Sequence, residues 1–260
     1  MESLGTRVRP IAFGAAGCAA ALALWQFAAI GPLSASPLPS ATSAIYEMSG
    51  LLGDPALWQA VADTLTMTLL GLAIAVVIGV ALGILSGISP LVMHATRVPV
   101  EFLKPIPPIV ILPIAVLVLG PTLSMGTFLV VLGCFIAIAV QTAAGVFDTN
   151  PVAVATGRSY GLNRSQVVRN IVLPSAMPYV GTAIRVAAPT ALIIAVVAGL
   201  LGGAPGLGRS LLLAQLSGNQ ERLFAYVLVL GTLGLIIQGL STWLERRLLH
   251  WHPQYRKEAL

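Results

Sequence analysis

The chain has 260 residues, of which 57% are hydrophobic and only 9% are charged, and its formal net charge is +5. A soluble domain carries about 25% charged residues, so this composition excludes a soluble globular protein and indicates an integral membrane protein. Because the apolar runs are continuous over about 20 residues and do not alternate with polar ones, they predict an all-α membrane fold and not a β-barrel.

The first apolar run covers residues 11–30 and follows Arg7 and Arg9. A cleaved signal peptide is the alternative interpretation, because the residues just before Cys18 resemble a lipoprotein cleavage site. The run continues for a dozen residues past Cys18, and further apolar runs follow it. We therefore predict that it is a retained transmembrane helix.

The second span is predicted over residues 62–86, after a Pro- and Ser-rich external loop at residues 31–54 that contains no Lys or Arg. Its first turns are polar, with Asp63 followed by Thr64, Thr66 and Thr68. Polar side chains are costly in contact with lipid, so these residues are expected to face protein or water. Asp63 is thus a candidate for the outer vestibule of a transport pathway.

The third span is predicted over residues 105–119 and starts with the sequence Lys104-Pro105-Ile106-Pro107-Pro108. Proline removes a backbone donor and clashes with the preceding turn, so this span must begin irregularly. Irregular backbone is tolerated inside a bilayer only against protein or a cavity. Pro107, Pro108 and the later Pro113 are therefore pathway candidates, although a kink without function would produce the same pattern.

Three further spans are predicted over residues 125–147, 179–201 and 224–244, and Arg185 lies near the start of the fifth. A charge in a span is expensive unless it is used or paired. Arg185 can attract an anionic substrate, pair with Glu101 or Asp148, or extend to the cytoplasmic surface. Of these, a structural role is favoured over substrate contact.

The positions of the basic residues predict the orientation of the chain. Of the 14 Lys and Arg residues, only Arg209 and Arg222 fall on the side opposite the termini. The positive-inside rule then places both termini and the polar segment of residues 148–174 in the cytoplasm. The basic charge reflects this topology, so no nucleic-acid partner is expected.

The segment of residues 148–174 carries two helix starts. Asn150 can cap a helix that begins with Pro151 and runs to about Tyr160, where Gly161 supplies a left-handed residue that ends it. Asn163 and Gln166 then form a capping box for a second helix, and Leu162 and Val167 a hydrophobic staple. Pro174 is expected to close this second helix.

Such a short, rigid and basic helical segment favours docking onto another protein. The alternative is an ordinary connecting loop that its arginines hold at the membrane surface.

Several motifs, taken together, are similar to those of one transporter family. Gly161, followed after nine residues by Ile171-x-Leu173-Pro174, resembles the G-x9-I-x-L-P core of the EAA loop in permeases of ABC importers. Other motifs resemble the nitrate/taurine/sulfonate branch: Leu38-Pro39-Ser40, Leu57-Trp58, Gly87-Ile88-Ser89-Pro90, Lys104-Pro105-Ile106-Pro107-Pro108, Leu112-Pro113, Ala143-x-Gly145-Val146, Ile184-Arg185, Gly206-Leu207-Gly208 and Glu245-Arg246-Arg247.

This resemblance implies a multi-pass permease subunit of a bacterial inner membrane that pairs with a second, usually identical permease and with two copies of a separate ATPase. An extracytoplasmic binding protein would deliver the substrate, and ATP and Mg²⁺ would be used by the ATPase, so the chain itself would bind no cofactor. The loop would dock onto the ATPase through the following residues: Ala155, Thr156, Gly157, Arg158, Tyr160, Gly161, Asn163, Arg164, Ile171, Leu173 and Pro174.

Two positions depart from the family pattern. Ala155-Thr156-Gly157 stands where the family has Glu-Ala-Ala, so docking is expected to rest on Arg158, Tyr160 and Arg164 instead. Gly199 stands where many relatives have a glutamate. This second departure weakens any assignment of the substrate by analogy. The resemblance to this branch implies a small anionic solute such as a sulfonate, nitrate or bicarbonate.

Other function classes are disfavoured. Neither lysine follows a glycine, so the chain lacks a GxxxxGK ATPase motif. His250-x-His252 supplies too few ligands to predict a metal site, and an enzyme is not expected because no catalytic cluster occurs. A stand-alone secondary transporter is disfavoured because the predicted spans contain no paired carboxylates or proton relay and show no convincing inverted repeat. That transporter, and a membrane subunit that does not transport, remain the alternatives.

Overall fold

The computed structural model describes residues 3–250, with side chains described from Phe13 onward. Every regular element in this range is helical. The helices are α1 Ser3–Ile30, α2 Ala41–Leu51, α3 Pro55–Ile88, α4 Pro90–Leu103, α5 Pro108–Leu119, α6 Leu123–Phe147, α7 Pro151–Ser159, α8 Arg164–Val167, α9 Leu173–Gly202, α10 Leu207–Leu216 and α11 Gln220–Leu248. A π-helical turn at Val168–Val172 joins α8 to α9.

The chain divides into two compact units, and the first comprises Met1–Trp58 and Ser210–Gly231. Within it, the Trp25 indole donates a hydrogen bond to the Pro39 carbonyl over 3.1 Å, and its ring lies 5.6 Å from that of Phe224. Arg222 forms an ion pair with Asp54 at 3.4 Å.

The second unit comprises Gln59–Arg209 and Thr232–Leu260, and its core is formed mainly by α6 and α9. One face of α9 consists of buried alanines at helical spacing, which lets α6 approach closely. These alanines are Ala183, Ala187, Ala191, Ala195 and Ala198. The prediction of one permease domain over residues 1–260 stays a prediction.

Glycines bring α3 into direct contact with α6. A Cβ added at Gly79 would lie 2.7 Å from the Phe135 carbonyl oxygen, and one at Gly83 would lie 2.5 Å from the Ala139 carbonyl oxygen. At Gly87 it would lie 2.4 Å from Val146 Cγ1. The spacing of four residues places these glycines on one face, as in the small-residue interfaces of membrane helices.

Five helices in the described range are long and apolar enough to cross a membrane. They are Phe13–Ile30, Pro55–Ile88, Leu123–Phe147, the continuous run Arg164–Gly202, and Gln220–Leu248. A sixth crossing results if α4 and α5, which meet at 91°, count as one broken span. The third predicted span thus begins irregularly, as expected, because α5 starts only at Pro108.

Three short helices lie between the long ones, and the first of them falls in the segment predicted as an external loop at residues 31–54. Helix α2 follows Ser40, whose hydroxyl accepts a hydrogen bond from Ser43 N at 3.1 Å. Helix α4 starts at Pro90 after the capping Ser89, and α10 spans Leu207–Leu216. The loop prediction at residues 31–54 was wrong because prolines and glycines mark where helices end but do not prevent a short helix between them.

The prediction that Pro174 closes the second loop helix is also wrong. The helix continues from Arg164 to Gly202, past both Pro174 and Pro178. In the π turn, Leu173 N donates to the Val168 carbonyl, five residues earlier. Such a widened turn directly before Pro174 leaves room for the proline ring, which would clash with a regular preceding turn.

Candidate functional site: the capped loop and the proline break

The helix ends of the loop are formed as the sequence predicts. Asn150 Oδ1 accepts from Val152 N at 2.8 Å, and Pro151 is the first residue of α7. Gly161 has φ +83°, the left-handed conformation that ends a helix at low cost. The capping box is complete, since Asn163 Oδ1 accepts from Gln166 N and Gln166 Oε1 accepts from Asn163 N, both at 2.9 Å.

The inner side of the loop is apolar and tightly packed. Gly157 is buried, and a Cβ there would lie 2.6 Å from Ile171 Cδ1 and 3.2 Å from Leu162 Cδ1. Val167 and Val146 belong to the same apolar cluster. Gly157 and Ile171 are therefore packing residues that hold α7 against the turn that follows α8, and this contact fixes α7 on the ends of the spans.

The outer side of α7 is exposed. Tyr160 is 84% exposed, and Val152 and Thr156 are also exposed on this face. Arg158 and Ala155 lie on the opposite flank of the helix and are exposed as well.

The other residues predicted for docking are placed differently. Arg164 Nη2 donates to the Ile88 carbonyl at 3.3 Å, which ties the loop to the end of α3. Leu173 is half-buried and Pro174 is exposed, both beyond the π turn on the continuous helix. Of the predicted docking set, Thr156 and Tyr160 thus occupy the free outer face of α7.

The proline break opens into one cavity, and this cavity shares a wall with a second one. A cavity of about 540 Å³ is lined by Lys104, Pro107, Pro108 and Gln141, among others. A cavity of about 230 Å³ is lined by Gln141, Thr182 and Thr190. Pro113 is exposed and lines neither of them. The sequence prediction missed Gln141, although a carboxamide within an otherwise apolar predicted span was a usable signal.

Arg185 forms an ion pair with a carboxylate that the sequence did not indicate. Its Nε lies 3.0 Å from Glu245 Oε2, and the Glu245 side chain is only 2% exposed. Arg185 Nε makes no hydrogen bond, so the contact is ionic. Thr182 Oγ1 donates to the other Glu245 oxygen at 3.1 Å.

The two partners proposed for Arg185 are therefore wrong. Glu101 pairs with Arg97, whose Nε lies 3.4 Å from Glu101 Oε1. Asp148 accepts a hydrogen bond from the Tyr179 hydroxyl. The Glu245 ion pair supports a structural role for Arg185, in which α9 and α11 are held together.

The polar start of α3 is used mainly in structural contacts. Asp63 Oδ1 accepts from Gln59 Nε2 at 3.0 Å. The buried Thr64 hydroxyl accepts from Leu207 N and donates to the Ala60 carbonyl, both at 2.9 Å. Thr64 therefore fixes the start of α10 against α3, and it does not line an open vestibule.

Residues 3–250 contain no group of three His, Cys, Asp or Glu side chains able to hold a metal ion. His250 Nδ1 lies 3.1 Å from the Arg247 carbonyl oxygen. His252, together with Arg256 and Lys257 of the orientation argument, lies outside the described residues.

Residues 75–250 match the family model described as "Binding-protein-dependent transport system inner membrane component". The chain is 29% identical to the taurine transport system permease protein TauC of Escherichia coli over 86% of the chain and 82% of that protein. It is 26% identical to the nitrate import permease protein NrtB of Leptolyngbya laminosa over 78% and 72% of the two chains.

The fold is also similar to solved structures. An inward-facing structure of the MetNI methionine ABC transporter superposes with a TM-score of 0.65 at 22% identity, over 75% of this chain and 98% of that one. A crystal structure of an amino acid ABC transporter superposes with the same TM-score of 0.65 at 18% identity. At these identities the likeness shows the fold alone.

Proposed function

Since the chain belongs to the family of binding-protein-dependent transport system inner membrane components, permease subunits of ABC importers, we propose that it pairs with an identical copy to form the pathway for a small oxyanion. Taurine and nitrate, named in the two relatives, are both small and carry oxyanion groups. The partners are two ATPase subunits, which use ATP and Mg²⁺, and an extracytoplasmic binding protein.

The observation that carries this proposal is the capped loop. One side-chain cap on α7, a capping box on α8 and a packed inner face make the loop a rigid body, while Tyr160 on the outer face of α7 is exposed. A rigid element transmits a displacement that a flexible loop would absorb. With both termini and this loop in the cytoplasm, α7 docks onto the ATPase through Tyr160 and Thr156, while Arg158 and Arg164 lie on the inner flank of the loop, away from this contact.

Replacing Tyr160 tests the docking role. Tyr160→Ala removes the most prominent side chain of the outer face, and we expect transport-coupled ATP hydrolysis to fall by about tenfold, in line with loss of an aromatic anchor. The measurement is ATPase stimulation by loaded binding protein in proteoliposomes. Tyr46→Ala, at a tyrosine that is 80% exposed outside the loop, is the matched control. Unchanged coupling in the Tyr160 variant, with the complex intact, would contradict the proposal.

The pathway is proposed to run past the proline break. Lys104 offers an ammonium group and Gln141 an amide donor to a passing oxyanion, and the cavity that contains Lys104, Pro107 and Pro108 has no acidic residue in its wall. The proposed pathway does not include Asp63, Pro113 or Arg185, because none of these residues lines either cavity.

Replacing Gln141 tests the pathway. Gln141→Leu keeps the side-chain size but removes the amide, and we expect a several-fold loss of uptake with basal ATP hydrolysis retained. Gln238→Leu is the matched control, since Gln238 is exposed on α11 and lines neither cavity. Equal uptake by the Gln141 variant and the wild type would exclude Gln141 from the pathway.

A further inference from the structure

A third cavity lies behind the coupling loop, and neither docking nor transport uses it. Its volume is about 610 Å³, within the range typical of ligand sites. The wall is formed by the end of α3, the end of α6, the inner flank of α7 and the start of the helix that follows. Arg158 and Arg164 line it, and no Asp or Glu from the described part of the chain does.

The two arginines give this cavity an uncompensated positive charge. Arg158 has no ion-pair partner among the residues whose side chains are described. Arg164 uses one of its guanidinium donors on the Ile88 carbonyl, and a guanidinium has five donors in all. The remaining donors fit the oxygens of a phosphate or a carboxylate.

An unsatisfied hydroxyl lies in the same wall. Thr149 Oγ1 is buried and has no hydrogen-bond partner in the described part of the chain. A buried polar atom without a partner costs about 1–3 kcal/mol. Rotation of the Thr149 side chain toward the cavity would bring its hydroxyl to a bound acceptor and remove this cost, so the orphaned hydroxyl is a second observation, independent of charge, that indicates a ligand.

The rest of the wall decides which ligand fits. It is largely apolar, with Ile88, Val146, Val154 and Val172 among its residues. A phospholipid carries apolar groups next to its phosphate, so a single ligand matches both the arginines and the apolar part of the wall. The cavity also lies at the ends of the membrane-crossing helices α3 and α6, and basic side chains at the cytoplasmic ends of such helices attract the anionic lipids of that leaflet.

We propose that this cavity binds the phosphate headgroup of an anionic phospholipid of the cytoplasmic leaflet, between Arg158, Arg164 and Thr149. The assignment of this cavity to the cytoplasmic leaflet rests on the proposed function, whereas the binding of an anionic phospholipid does not. The lipid would brace α7 from behind while its outer face carries Tyr160. Coupling to the ATPase would then depend on the anionic lipid content of the membrane.

The test uses the full-length permease in nanodiscs of phosphatidylcholine with or without phosphatidylglycerol. Phosphatidylglycerol retained by the protein is measured by native mass spectrometry, and thermal stability is measured in parallel. We expect Arg158→Gln to reduce retention about fivefold, as for loss of one cation near an anionic surface, and Thr149→Val to reduce it by a smaller factor. Arg169→Gln is the matched control, because this exposed arginine of the same segment does not line the cavity.

Three results would overturn the proposal. Retention by the Arg158 variant equal to that of the Arg169 variant would exclude the site. Equal stabilisation by inorganic phosphate in neutral nanodiscs would identify a free anion as the ligand. If Arg158→Gln weakened ATPase binding equally with and without phosphatidylglycerol, the occupant would be an acidic side chain of the partner. The Tyr160→Ala assay can fail independently of all three, so the docking role is tested separately.

Discussion

The capped loop and the proline break both interrupt helices, but they are built differently. In the loop, Asn150, Asn163 and Gln166 bind the free backbone groups at the helix ends. At the break, α5 begins after Pro107 with no side-chain cap, and α4 meets α5 at 91°. Caps fix both the end of a helix and the direction of the next one, whereas prolines fix only the end. We therefore expect the loop to move as a unit and the break to deform.

Among substitutions that test this difference, the largest effect on stability and coupling is expected at Gly157, which is buried inside the loop. A leucine side chain cannot fit, because even its Cβ would lie 2.6 Å from Ile171 Cδ1. Overpacking of this kind costs about 1–3 kcal/mol, and it would separate α7 from the rest of the loop. Gly157→Leu should therefore lower the melting temperature in detergent and abolish coupling.

Ala153→Leu is the control for this substitution, because Ala153 is an exposed residue of the same helix. It should leave the melting temperature unchanged. If the two variants behaved alike, the loop would not be a packed unit, and its contrast with the break would disappear.

The capping box gives the next largest effect. Gln166→Ala and Asn163→Ala each remove one of the two reciprocal 2.9 Å hydrogen bonds, and loss of such a cap costs about 1 kcal/mol. We expect faster amide hydrogen exchange around residues 163–167 and a partial loss of coupling. Ser165→Ala, a substitution at an exposed residue between the two caps, should change neither. Exchange as slow as in the wild type would show that packing alone holds the loop.

The sequence predicted the loop well because its structure depends on residues close together in the chain. The cap at Asn150, the left-handed Gly161 and the capping box are all confirmed. The expectation of an irregular start to the third span is confirmed for the same reason, since a proline acts on its own turn. A single sequence is therefore sufficient to predict features that depend on residues within one or two helical turns.

What the sequence could not predict depends on distant partners. Arg185 pairs with Glu245, 60 positions further along the chain, and no local pattern distinguishes this carboxylate from Glu101 or Asp148. The continuation of the helix past Pro174 depends on a π turn that no residue pattern marks. Likewise, Gln141 becomes a pathway candidate only because α6 forms part of the wall of the cavity that also contains Lys104.

The smallest and most specific effect is expected at the break. Pro107 occupies the position before α5 with φ −63° and ψ 135°, an extended conformation in which serine can cap a helix. Pro107→Ser would give α5 the kind of cap that the loop helices have, worth about 0.5–1 kcal/mol. We expect a small rise in melting temperature together with slower uptake, because a capped helix start resists the deformation that transport requires. Pro107→Ala, which removes the proline without adding a cap, is the control and should not be stabilising. If the serine variant were more stable and transported at the wild-type rate, the break would be a static kink, and the two interruptions would differ in construction but not in mobility.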